Sequence, residues 1–175
     1  MTYITIEQAT VPNVDQLRQI SRQTFFETFS ASNSEQNMQA YLEERFSLEK
    51  LTAELQNPHS AFYFALLENA VVGYLKVNAG PAQTELQDAN ALEIERIYVL
   101  QDYHGKQVGQ VLYEKALQLA TQAQANYVWL GVWEENLRAI RFYQKNGFME
   151  FAKHVFRLGN DEQTDILMKL VLARS

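Results

Sequence analysis

The stretch Leu92-Glu93-Ile94-Glu95-Arg96-Ile97-Tyr98-Val99-Leu100, continued by Tyr103-His104-Gly105-Lys106-Gln107-Val108-Gly109-Gln110, decides the fold. Its first part has the branched and aromatic composition of a strand. Beyond it, Val108, Val111, Leu112, Ala116, Leu119, Ala120 and Ala123 recur on one helical face. Between them Gly105 and Gly109 permit tight backbone turning, and the first N–H groups of the helix have no partner within it. Those N–H groups, the positive end of the helix dipole and the Lys106 ammonium together suit a pyrophosphate. A glycine-bearing turn of this kind is also an ordinary strand-to-helix connection. The stretch lacks the Lys-Ser or Lys-Thr ending of a nucleotide triphosphate loop and the three-glycine dinucleotide pattern, which leaves coenzyme A as the remaining common pyrophosphate ligand.

Outward from this unit, Tyr127 to Trp133 reads as the next strand, and Asn136 caps a helix that ends before Gly147. Phe148 to Leu158 and Asp165 to Val171 read as a closing pair of strands. Towards the amino terminus, Ala61 to Leu67 and Val71 to Val77 flank a Glu68-Asn69 turn as a hairpin, and a polar loop comes next over 78–90. Tyr3-Ile4-Thr5-Ile6 alternates like a short strand, and Pro12 stands where a first helical residue is expected. Val14, Leu17, Ile20, Thr24 and Phe25 mark one helix, Met38, Tyr41, Leu42 and Phe46 another, and Ser47 caps a third that stops at Asn57-Pro58. The order is mixed α/β, in one domain over residues 1–175.

Bulk properties narrow the function classes. A net charge of -6 disfavours broad contact with nucleic acid and does not repel a cationic small molecule. The chain has no cysteine, which excludes disulfides and thiol nucleophiles and favours a reducing, cytoplasmic setting. No apolar run approaches the length of a membrane span. His59 and His154 stand apart from any cysteine or carboxylate at metal-ligand spacing, so no metal is expected. Nothing resembles a serine nucleophile elbow, so a covalent acyl-enzyme is not expected either.

Leu92 to Val99, the glycine turn, and Asn136-Leu137-Arg138-Ala139-Ile140-Arg141-Phe142-Tyr143-Gln144-Lys145-Asn146-Gly147-Phe148 resemble, in order and spacing, the motifs of GCN5-related N-acetyltransferases (GNAT). Thr28-Phe29 with Tyr41-Leu42, Trp129-Leu130-Gly131-Val132-Trp133-Glu134 and Glu162-Gln163-Thr164-Asp165 look like the PaiA type of that family, which acetylates spermidine and spermine. The resemblance implies a mixed, mostly antiparallel central sheet flanked by helices, with acetyl-CoA as cosubstrate. It implies that the backbone of Ile97, Tyr98 and Val99 pairs with the pantetheine arm. His104, Gly105, Lys106, Gln107, Val108, Gly109 and Gln110 would receive the pyrophosphate. Asn136 would contact the pantetheine arm, and Arg138 and Lys145 would also bind the cofactor. The turn departs from the family pattern twice: His104 stands at an arginine or glutamine position and Gln107 at a glycine position.

Direct acetyl transfer requires a deprotonated amine and a proton for the departing thiolate. Tyr143 resembles the family's general acid, although Ile140 and Tyr143 also share a helix face as core residues do. Glu93 and Glu95 point to the same strand face and are the candidate bases, with Glu95 preferred; either is equally able to pair with Arg96 or Lys76. Trp129 and Trp133 read as sheet packing or as the wall of a substrate channel. The expected activity is acetyl transfer to a primary amine, with a polyamine as the preferred acceptor. Acetylation of a protein or peptide amine and a coenzyme A-binding regulator with little catalysis are the alternatives, and a homodimer through the last strand pair is compatible with any of them.

Overall fold

The structure, a computed structural model, describes residues 3–173. Strand β1 (Ile4–Ala9) leads through a 3-10 turn at Val11–Asn13 into helix α1 (Val14–Phe29), so Pro12 lies within the turn, ahead of the helix. Helices α2 (Glu35–Arg45) and α3 (Leu48–Gln56) each open on a serine hydroxyl that accepts a backbone N–H at 3.1 Å, Ser34 from Asn37 and Ser47 from Lys50. Strands β2 (Ser60–Leu67) and β3 (Ala70–Ala79) form the expected hairpin; Glu68 and Asn69 both take positive φ, as a two-residue turn matched to strand twist requires. Then come β4 (Ala91–Val99), α4 (Val108–Gln122), β5 (Tyr127–Trp133), α5 (Leu137–Lys145), β6 (Met149–Leu158) and β7 (Asp161–Val171). Gly147, at φ 96°, succeeds α5 as anticipated. The loop is shorter than 78–90 because Asn78 and Ala79 still pair within the sheet. β7 starts before its apolar run because Asp161 to Thr164 are held by backbone pairing with β6, which needs no apolar side chain.

The seven strands form one sheet in the order β1-β2-β3-β4-β5-β7-β6, antiparallel except where β4 lies beside β5. One face packs Leu75, Ile94, Val128 and Leu130 against Leu112 and Ala116 of α4 and Tyr143 of α5. The other packs Phe62, Phe64, Tyr74 and Trp133 against Leu17, Phe25, Phe46 and Leu51 from the region of α1 to α3. Burying both faces accounts for the long apolar runs in the central strands. No helix among the described residues is long and apolar enough to cross a membrane.

Two irregularities in β4 shape the centre of the molecule. Lys76 of β3 faces Arg96, while its neighbour Val77 faces Ile94, leaving Glu95 as an extra, bulged residue. Glu93, Glu95 and Arg96 therefore all reach the face that carries Lys76 and Asn78, whereas strict alternation would have turned Arg96 away. Secondly, β4 pairs with β5 only over Ala91 to Ile94, opposite Tyr127 to Leu130. Beyond that point the strands diverge, and the edge of β4 from Glu95 to Val99 has β3 on one side and no strand on the other.

Gly73 lets these parts close up. A Cβ at this position would lie 2.7 Å from the Tyr98 carbonyl oxygen and 3.3 Å from Leu112 Cδ1. Gly73→Ala must push β4 away from β3 beside Tyr98 and Val99, at the far end of the free edge, and it is expected to lower unfolding free energy by about 1–3 kcal/mol in denaturant titrations.

Candidate active site

The divergence opens a cleft of about 1050 Å³ that runs from the α4–α5 side of the sheet through to the α1–α3 side. Ile97, Tyr98 and Val99 line it on one side and Leu130 to Trp133 on the other. Tyr143 of α5 lines it too, with its ring packed against Phe142 and Phe148. Among the described residues no hydrogen bond holds its hydroxyl, and burial pushes the phenol far above its ordinary pKa. The group thus keeps its proton at any working pH, as a proton donor must.

The mouth on the α4 side has the anion-site geometry expected of the glycine turn. The first helical bond there runs from the Val111 N–H to the Gln107 carbonyl, so the N–H groups of Val108, Gly109 and Gln110 have no such partner. Gly105 takes φ 79°, and nothing lies within 4 Å of where its Cβ would be. His104, Gly105, Gln107, Val108, Gly109 and Gln110 all line the cleft. Lys106 does not: its ammonium lies over the Tyr103 ring, 5.3 Å from the centroid. His104 turns its Nε2 to the Val99 carbonyl at 2.9 Å, tying the turn back to the end of β4.

Gln107 caps α4 in the left-handed region, at φ 68°, ψ 9°. A Cβ there costs about 1–2 kcal/mol, which explains why the family pattern has glycine at this place and what its absence does. Gln107→Gly should raise unfolding free energy by up to about 1 kcal/mol, the relief of strain being partly offset by the greater freedom of glycine in the unfolded chain. Thermal unfolding of the variant checks it.

Helix α5 supplies the cationic wall. Arg138, Arg141 and Lys145 all line the cleft. The three lie on one helix face by their spacing, a signal that the sequence carries for Arg141 as much as for its neighbours. Asn136 also lines the cleft, but its side-chain oxygen is taken by the Ala139 N–H at 3.2 Å, capping α5.

The α1–α3 end of the cleft is lined with carboxylates. Glu95 is ion-paired to Arg45 at 2.9 Å, Lys76 at 2.7 Å and Arg96 at 3.0 Å. Burial alone would raise its pKa; Arg96, Lys76 and Arg45 outweigh that and hold the carboxyl well below the usual range. Pairing with Arg96 and Lys76, the open alternative for this residue, is thus what the structure contains, and such a carboxylate is a poor proton acceptor. Glu54 of α3 extends the network to Lys76 at 2.6 Å and Arg96 at 2.9 Å.

Glu93 has a different surrounding. Its Oε1 accepts from the Thr84 N–H at 2.8 Å and from Asn78 Nδ2 at 3.0 Å, and its Oε2 accepts from the Thr84 hydroxyl at 2.5 Å. Burial raises its pKa and these bonds oppose the rise without cancelling it. Asp165 of β7 lines the same end, as do Glu85 and His154, which contact each other. Trp129 and Trp133 are buried in the sheet and also line the cleft; Trp129 donates its indole N–H to Gln83 at 2.7 Å. Arg45, Glu85, His154 and Asp165 come from four separate parts of the chain. Nothing in the local sequence of Arg45, Glu85 or His154 signals the site, and the stretch Glu162 to Asp165 carries a resemblance without a role for Asp165. Among the described residues there is no group of His, Asp or Glu arranged to hold a metal ion.

A mixed sheet split beside its parallel pair, with a helix amino terminus at one mouth and a protonated phenol within, is the architecture of an acyl-coenzyme A-dependent transferase. Residues 14–148 match the Acetyltransferase (GNAT) family. The uncharacterized N-acetyltransferase of the pepI 3′ region of Lactobacillus delbrueckii subsp. lactis is 40% identical over 172 residues, spanning 98% of this chain and 99% of that protein. The spermidine N(1)-acetyltransferase of Thermoplasma acidophilum is 24% identical, spanning 83% of this chain and 88% of its own. The crystal structure of the PaiA N-acetyltransferase from Thermoplasma acidophilum in complex with coenzyme A superposes with a TM-score of 0.80 at 22% identity, covering 97% of this chain and 99% of that one. The chain belongs to the GNAT family, and it is an acetyl-CoA-dependent N-acetyltransferase.

Proposed function

We propose that the chain acetylates a primary amine of a small polycationic acceptor, a polyamine such as spermidine or spermine. The observation that carries this reading is the polarity of the cleft: unpaired helix N–H groups with Arg138, Arg141 and Lys145 at one mouth, and Glu93, Glu85 and Asp165 at the other. The similarity to a spermidine acetyltransferase points the same way.

The residues present fit coenzyme A. The N–H groups of Val108, Gly109 and Gln110 suit its pyrophosphate, the α5 cations suit its remaining phosphate, and the free edge of β4 at Ile97, Tyr98 and Val99 suits its amide-bearing arm. Bound acetyl-CoA supplies an activated thioester. Tyr143 holds a proton in the cleft for the departing thiolate, and Asn136, already fixed as the α5 cap, retains its amide N–H donors for the same arm. The buried Glu95 keeps Arg45, Lys76 and Arg96 in place, and Glu93 with Glu85 makes the amine-side mouth negative.

Thiol release from acetyl-CoA with spermidine, spermine, lysine peptides, arylamines and aminoglycosides tests the proposal. Spermidine or spermine should give the highest kcat/KM. Activity confined to lysine peptides would favour a protein acceptor, and bound acetyl-CoA with no thiol release on any of these amines would favour a regulator.

A further inference from the structure

Resting on the reading of the acceptor as a protonated amine, we infer that Asp165 of β7, and neither glutamate of β4, takes the proton from that amine. Of the carboxylates at this end of the cleft, Glu95 is enclosed by Arg45, Lys76 and Arg96, and Glu93 is enclosed by the two Thr84 donors and Asn78. Glu95 meets four donors, two on each oxygen, so none of its lone pairs is left for a proton; Glu93 accepts three hydrogen bonds, which fix its carboxylate against Thr84 and Asn78 and lower its basicity. Asp165 is different: among the described residues no hydrogen bond or ion pair occupies its carboxylate, although it lines the cleft.

The strand register aims it. Asp165 stands opposite Trp133 on β5, and its Oδ2 lies 3.6 Å from where a Cβ would project from Gly131. Gly131 is the exposed residue of an otherwise largely buried strand, and it lays no side chain over the carboxylate; the other near neighbour of its Cβ position is Leu167 Cδ2, at 3.3 Å. The titratable groups that face Asp165 are His154 across the β6–β7 ladder, Glu85 from the loop before β4 and the Tyr41 hydroxyl of α2. His154 is engaged with Glu85 rather than with Asp165. Burial first, and then Glu85, raise the Asp165 pKa to about 6, while His154 opposes the rise. A carboxylate in this range is ionised at neutral pH and is a far better base than an ordinary aspartate.

Three protons leave or stay on the nitrogen in balance. One ammonium proton passes to an Oδ of Asp165 and freely on to solvent, leaving the nitrogen lone pair to form the C–N bond as the C–S bond breaks. The Tyr143 hydroxyl protonates the thiolate, a second nitrogen proton restores that hydroxyl, and the third stays on the amide.

The test is the pH dependence of kcat/KM for the wild type, Asp165→Asn and Glu93→Gln with spermidine, spermine and a lysine peptide. The wild type should lose activity below about pH 6 with an acid limb that Glu93→Gln retains. Asp165→Asn should lack that limb and fall by about 100-fold or more at pH 8. A normal acid limb and rate in Asp165→Asn, with the wild type active, overturns the inference alone; a wild type active on none of the amines overturns the polycationic acceptor and this inference together. Folding is checked separately by thermal unfolding. Because the folded-state pKa of Asp165 is raised, its ionisation favours the unfolded chain, so Asp165→Asn should unfold at a higher temperature than wild type at pH 8. The difference should shrink as pH falls through 6 towards the ordinary aspartate value. A variant less stable than wild type at pH 8 counts against the inference.

Discussion

Tyr143→Phe should lower kcat by about 100-fold or more, the usual contribution of a positioned proton donor, while leaving acetyl-CoA affinity and thermal stability close to wild type. The separation of these effects comes from the surroundings of the side chain. The ring packs on Phe142 and Phe148 and remains after the substitution, so the core loses no volume beyond one oxygen. The hydroxyl makes no hydrogen bond to another described residue, so its removal strands no buried partner. What disappears is the proton that burial keeps on the phenol. Rapid-quench measurement of a single turnover should show the slow step moving to chemistry. An unchanged single-turnover rate would remove Tyr143 from the reaction.

Glu95→Gln is expected to be the most destabilising single change at the site, by about 3–5 kcal/mol, because it leaves buried cations without their counter-charge. Arg96 and Lys76 would retain Glu54 alone, and Arg45 would lose the contact that ties α2 to β4. The pH dependence has a definite sign. Glu95 has a lowered folded-state pKa, so its contribution is fully present above the ordinary glutamate range and is lost as pH falls below it. Wild type and variant should therefore differ most at neutral pH and converge in acid, as monitored by denaturant unfolding. Loss of activity in this variant should track loss of folded protein. At a temperature where the variant is still folded, the acid limb of its pH profile should remain.

Much of the fold is legible in the sequence because the chain's periodicities are clean. The strand from Leu92, the apolar face from Val108, and the Asn136 cap with Gly147 at the far end all lie where the sequence places them. Motif order is enough to bring Tyr143 and the β4 edge to the cleft. The chemistry of the carboxylates is not legible in the same way. Glu93 and Glu95 are two residues apart on one strand face, yet burial raises the pKa of Glu93, whereas at Glu95 the same burial is outweighed by Arg96, Lys76 and Arg45. Only three-dimensional pairing distinguishes them. Asp165 stands in a stretch that gives it no role of its own, and its position beside Gly131 across the sheet, with no hydrogen bond or ion pair to its carboxylate among the described residues, shows only in three dimensions.

The short ladder between β4 and β5 also has a mechanical meaning. With only Ala91 to Ile94 holding the strands together, the sheet is two plates, β1 to β4 and β5 with β7 and β6, joined by a seam at one end. Flexing about that seam changes the gap where the strands part while leaving either plate intact. A molecule spanning the gap from the start of α4 to α5 would tie the plates together where their strands do not meet, adding to the short ladder and the α4 packing that already join them.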